Sequence, residues 1–153
     1  MAALSDGVRQ FFDRDDWPVA ETATGESTVF ETVFAGSEQA WAVRVTAYDA
    51  FGQVIVESLL PLDVPSQRRR DLEALLLGVN WHLLTGAFQV DPSTAEIRFR
   101  NSLLLPDGEL ITDRLVKGLV YSNVLTVDRC WHGLLVVTEG AMDAQSAFEA
   151  LAL

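Results

Sequence analysis

The stretch Thr28-Val-Phe-Glu-Thr-Val-Phe-Ala-Gly-Ser-Glu-Gln-Ala-Trp-Ala-Val-Arg-Val-Thr-Ala-Tyr-Asp-Ala-Phe-Gly-Gln-Val-Ile-Val-Glu-Ser-Leu-Leu60 decides the fold class. Its hydrophobic pattern has period two, which places alternate side chains on opposite faces of a strand. Phe30, Thr32 and Phe34 share one face; after Gly36-Ser37-Glu38, Trp41, Val43 and Val45 share another, opposed by Arg44 and Thr46. Asp49-Ala50-Phe51-Gly52 supplies the next reversal, and Val54, Ile55, Val56, Leu59 and Leu60 make a third strand that ends at Pro61. The expectation is a three-stranded antiparallel meander.

On the N-terminal side, Leu4, Val8, Phe11 and Phe12 recur at helical spacing, with Ser5 or Asp6 as the cap and Trp17-Pro18 forcing an extended exit. On the other side, Pro65-Ser66 opens a second helix whose core stripe is Leu72, Leu75 or Leu76, Val79 and Leu83, with Gly86 as its stop. A second stripe, Leu77, Trp81 and Leu84, makes the apolar face wider than one sheet contact requires. It fits either burial on two sides or contact with a partner. Ala87 to Val90 and Ile97 to Leu105, joined through Asp91-Pro92-Ser93, read as a hairpin closed by Pro106-Asp107-Gly108. Thr112-Asp113 caps a further helix, with a break expected near Asn123 to Asp128, where β-branched residues cluster. Asp143 caps a last short one carrying Ala147, Phe148 and Leu151. The order is α-β-β-β-α-β-β-α-α: an α+β fold in which a twisted antiparallel sheet, a three-stranded meander plus a hairpin, packs against helices. With no linker or repeat in its 153 residues, the chain is expected to form one domain over 1–153.

Composition narrows the function. The chain is 49% hydrophobic and 22% charged, enough apolar content for a core. Eleven Lys+Arg against 22 Asp+Glu leave a formal net charge of -11, which disfavours nucleic acid and anionic membranes, both of which need a cationic surface. Asp6, Arg9, Asp13 and Arg14 interrupt any secretory signal near the start, and no apolar run approaches the roughly 20 residues of a spanning helix. A cytoplasmic protein is expected, its single Cys130 remaining reduced.

Chemistry-bearing residues are sparse. His82 and His132 are the two histidines; Cys130 and His132, two apart on a helix, diverge and so do not make a metal site. Neither a Gly-X-Ser-X-Gly elbow nor a glycine-rich phosphate loop is present. Cys130-Trp131-His132 lacks the electropositive setting a thiolate nucleophile needs. No catalytic residue, metal ligand or cofactor is therefore expected. The basic run Arg68-Arg69-Arg70 opens the second helix, where the helix dipole disfavours it. The tryptophans at 17, 41, 81 and 131 fit core or interface, with Trp81 on the wide face.

The stretch Leu75-Leu-Leu-Gly-Val-Asn-Trp-His-Leu-Leu-Thr-Gly-Ala-Phe-Gln-Val-Asp91, with Ile97-Arg-Phe-Arg100, the Leu103 to Leu105 run, Asn123, the Asp128 region, and Gly140 with Ala147, resembles the YbjN-like family of bacterial proteins. It is also similar to a related cyanobacterial family of unknown function. The resemblance implies the type III secretion chaperone fold and a dimer. Secretion chaperones are small acidic dimers that hold extended partner segments against apolar surface, and YbjN-like proteins are described as regulators. No catalytic residues come with the resemblance. The expected function is a non-enzymatic, chaperone-like or regulatory protein-binding module, a homodimer with an unidentified protein partner, acting through an apolar helix face or a sheet edge. Leu77, Trp81 and Leu84 are its candidate contact residues. The alternative is a small ligand-binding protein or enzyme whose pocket is assembled from sequence-distant residues.

Overall fold

A computed structural model describes residues 3–107 and 109–153; Gly108, in the turn expected to close the hairpin, lies outside the described residues. Helix α1 (Leu4–Arg14) is followed by strands β1 (Ala20–Ala23), β2 (Thr28–Ala35), β3 (Ala40–Tyr48) and β4 (Gln53–Leu60). Helix α2 (Arg69–His82), strands β5 (Ala87–Val90) and β6 (Ile97–Leu104), and helices α3 (Asp113–Thr138) and α4 (Ala144–Leu151) complete the chain. The strands form one antiparallel sheet in the order β1-β2-β3-β4-β6-β5. This is the expected α+β fold, with the meander and the hairpin joined edge to edge through β4 and β6.

The period-two pattern sorts the two faces of the sheet. Phe30, Trp41, Val43, Val45, Val54, Val56 and Phe99 are buried toward the helices. On the opposite face, register aligns Glu31, Arg44, Glu57 and Arg100 in one row of alternating charge across four strands. Arg98 reaches Glu57 from the next row at 2.7 Å. Opposite charges directly across a strand pair favour this register over its neighbours. Helix α1 packs on β3, α3 on β4 and β6, and α2 on β5, while α4 lies on α2 and α3. Gly78 of α2 is where α4 comes closest: a Cβ there would stand 3.3 Å from the Phe148 ring.

Several local expectations change. Strand β1, four exposed residues beyond Trp17-Pro18, has no hydrophobic alternation to announce it and is held by pairing with β2. The first helix begins after Ala3, not at Ser5 or Asp6: the Asp6 carboxylate reaches back to the Ala3 amide, and Ser5 bonds Asp49 through its amide and hydroxyl. The expected break near Asn123 to Asp128 is absent, and α3 is one helix of 26 residues. Val124 and Val127 are buried in the core there, and their packing outweighs the small helix penalty of β-branched residues. Helix α2 ends at His82 rather than running to Gly86; Leu83 is already extended. The caps at Thr112 and Asp143 accept from the amides of Leu115 and Ser146, as expected from the sequence.

Candidate protein-binding face

Helix α2 is positioned at both ends. At its start, the Arg68 guanidinium donates to the Val137 carbonyl at 3.1 Å and pairs with Asp71 at 3.2 Å. The basic run therefore begins against the C-terminal end of α3, where a cation is favoured, and this offsets its poor position on α2. Along the helix, Leu72, Leu75, Leu76 and Val79 are buried. Leu77 and Trp81 fall on the opposite side, because successive residues turn by about 100°. They are 76% and 85% exposed, and Leu84, in the turn leaving the helix, is fully exposed. The second stripe thus packs under neither the sheet nor α4.

A residue that the sequence reading passed over separates this stripe from the neighbouring strand. Asn80 donates through Nδ2 to the Phe88 carbonyl at 3.0 Å and accepts from the Phe88 amide at 2.8 Å. β5 ends the sheet, and in its register with β6 the backbone groups of Ala87 and Gln89 face inward while those of Phe88 face outward. The Asn80 amide takes the place of another strand at that position. Blocking an edge in this way is how sheets avoid adventitious pairing.

The remaining chemistry-bearing residues are held in structural roles. Cys130 is fully buried and its thiol is pushed up to about 11 by desolvation, unfavourable to a nucleophile. His132 lies 3.2 Å from Glu38, while His82 contacts the Gly78 carbonyl and the Phe148 ring, so the two do not converge. Among the described residues no group of three His, Cys, Asp or Glu side chains is placed to hold a metal ion. Trp41 and Trp131 stack in the core at 6.3 Å, and Trp17 packs half-buried against Phe34 and Tyr121. A cleft of about 500 Å³ opens between α1 and the segment after β6, lined in part by Leu4, Gly7, Asp49, Glu109 and Ile111. Neither histidine nor Cys130 lines it.

The polar centre of the core was also not anticipated. Asn123 is fully buried; its Nδ2 reaches the carbonyls of Val56 and Phe99 at 3.1 Å each and Asn101 Oδ1 at 2.9 Å. Its Oδ1 accepts from Ser58 Oγ, which accepts from Trp41 Nε1. The network joins α3 to three central strands and fixes the registration of helix on sheet.

No protein-family model and no curated protein sequence matches the chain. Among solved structures, YbjN from E. coli, a candidate transcription regulator, superposes with a TM-score of 0.55 at 14% identity, over 90% of each chain. A chain of the HopA1–SchA chaperone–effector complex superposes with a TM-score of 0.53 at 15% identity, over 83% of this chain and 91% of that one. The fold is YbjN-like and chaperone-like, and these neighbours are a regulator and a chaperone complex rather than enzymes. No helix among the described residues is long and apolar enough to cross a membrane.

Proposed function

We propose that the protein is a non-enzymatic, chaperone-like protein-binding module that works as a cytoplasmic homodimer, with Leu77, Trp81 and Leu84 as the contact between copies. The observation that carries this reading is the uncovered stripe on the side of α2 opposite the core, beside a strand edge that Asn80 has blocked. Large contiguous apolar surface is costly to leave in water, and each such side chain contributes about 1.5–3 kcal/mol when buried. The stripe is self-complementary. An antiparallel crossing of two α2 helices about Leu75 and Leu76 sets Trp81 against the second copy's Arg70 and Leu77 against the second copy's Ala74. The first pairing is a cation over an indole, and the second places a leucine where a small residue lets the helices approach. The likeness of fold to a chaperone in complex with its effector supports a protein as the further partner.

The test is capture from the source cell with wild-type protein and with the Leu77→Asp/Trp81→Asp variant as parallel baits. A reproducible protein partner held by wild type and lost by the variant is expected. Absence of any partner, together with thermal stabilisation by a small molecule, would move the function to the cleft between α1 and the segment after β6.

A further inference from the structure

We infer that the upper edge of β6, at Ser102 and Leu104, is a second binding site that takes an extended, lysine- or arginine-bearing segment of a partner protein by strand addition. The inference rests on the protein-binding reading above and assigns the place where a partner other than a second copy is held.

β5 pairs β6 only from Ile97 to Arg100, whereas β4 pairs β6 as far as Leu104. Four residues of β6 therefore have a neighbour on one side alone. The Leu105 amide donates to the Gly52 carbonyl on the β4 side, and the Asp91 amide takes the Glu96 carbonyl on the β5 side. Because backbone groups alternate along a strand, odd-numbered residues of β6 face β4 and even-numbered residues face the other way. The amides and carbonyls of Ser102 and Leu104 point away from the sheet, and no hydrogen bond reaches them from another described element. Chain continuity keeps β5 from covering them: Gly86, at φ +75°, lies against the Phe99 ring and the Arg100 carbonyl, and the chain leaves the sheet plane there. The contrast with Phe88, where Asn80 supplies the missing strand's hydrogen bonds, is what singles out this edge. One edge is blocked and the other is left open.

The surroundings choose the occupant. Leu104 is 69% exposed, and Leu84, from the α2–β5 turn, is fully exposed, so apolar side chains alternating along an added strand have surface to cover. Asp107 and Glu109, both exposed, follow β6 directly. With a net charge of -11 on the chain, a cationic segment is attracted to this end of the strand. A second copy is disfavoured, since it would bring its own Asp107 and Glu109 to the same place.

The probe is a nine-residue peptide alternating valine and lysine, with glutamate in place of lysine as the comparison, followed by amide hydrogen exchange and fluorescence anisotropy. The lysine peptide is expected to bind and to slow exchange at Ser102 and Leu104 by about tenfold or more. Ser102→Pro removes an outward amide that the ladder does not use, so the fold stands, checked by an unchanged melting temperature, while binding weakens by about tenfold. Trp81→Asp leaves peptide binding intact. Protection that appears at α2 instead, equal binding of the glutamate peptide, or no binding overturns the edge site while leaving the α2 contact to stand or fall on its own measurement. Concentration-dependent protection of Ser102 and Leu104 without peptide overturns it in favour of a second copy.

Discussion

The side-chain amide of Asn80 meets both backbone groups of Phe88, accepting from its N–H at 2.8 Å and donating to its carbonyl at 3.0 Å. A helix thereby completes the hydrogen bonding of an edge strand that has no further strand beside it. Asn80→Leu leaves the Phe88 groups without partners and should cost about 1–3 kcal/mol in urea unfolding. It should also make the protein associate with increasing concentration through β5. Faster exchange of the Phe88 amide in the variant, with light scattering that grows with concentration, is the expected pair of results.

Asn123 joins α3 to the sheet through bonds to Val56, Phe99, Asn101 and Ser58. Asn123→Ala removes these bonds and leaves Ser58 and Asn101 short of partners in a closed interior. A loss of about 3 kcal/mol in chemical denaturation is expected. Asn123→Leu should not restore it, because a leucine fills the space without satisfying the polar neighbours.

Where side-chain pattern alone specifies an element, the sequence was sufficient: Phe30 to Leu60 alternates as a meander must, and Thr112 and Asp143 start helices by a local hydrogen bond. Where an element depends on a distant neighbour, it was not. β1 is exposed throughout and exists because β2 lies beside it. The residues from Asn123 to Asp128 look like a helix break until the core that buries Val124 and Val127 is in view. Leu77 and Trp81 showed as a second stripe, but their exposure depends on where α4 lands. Asn80 sits among apolar residues and becomes legible as an edge block only when Phe88 is known to be the outward residue of the last strand.

Asp15 accepts from the Tyr121 hydroxyl at 2.6 Å and from the Trp17 indole at 2.8 Å, tying the end of α1 to α3. Those bonds, Tyr121 first, hold its carboxyl below the usual carboxylate range. The folded state therefore binds this proton less readily than the unfolded chain. The resulting stabilisation is present above about pH 4 and is lost as pH falls through the lowered value. Tyr121→Phe removes the largest cause. Its melting temperature should lie below that of wild type at pH 6, and the gap should narrow in acid.

Burial pushes the Cys130 thiol up to about 11. Native protein at pH 8 should react with a thiol reagent about a hundredfold more slowly than the same chain in urea. Rapid labelling of the folded protein would show that the helix layer around Cys130 opens on its own.

The central claim is that the outer face of α2 joins two copies, and sedimentation equilibrium at micromolar concentration tests it most directly. Wild type is predicted to sediment as a dimer. The Leu77→Asp/Trp81→Asp variant is predicted to sediment as a monomer with an unchanged circular dichroism spectrum, since neither side chain contributes to the core. A wild-type monomer at these concentrations, or a dimer that the two substitutions leave intact, would contradict it.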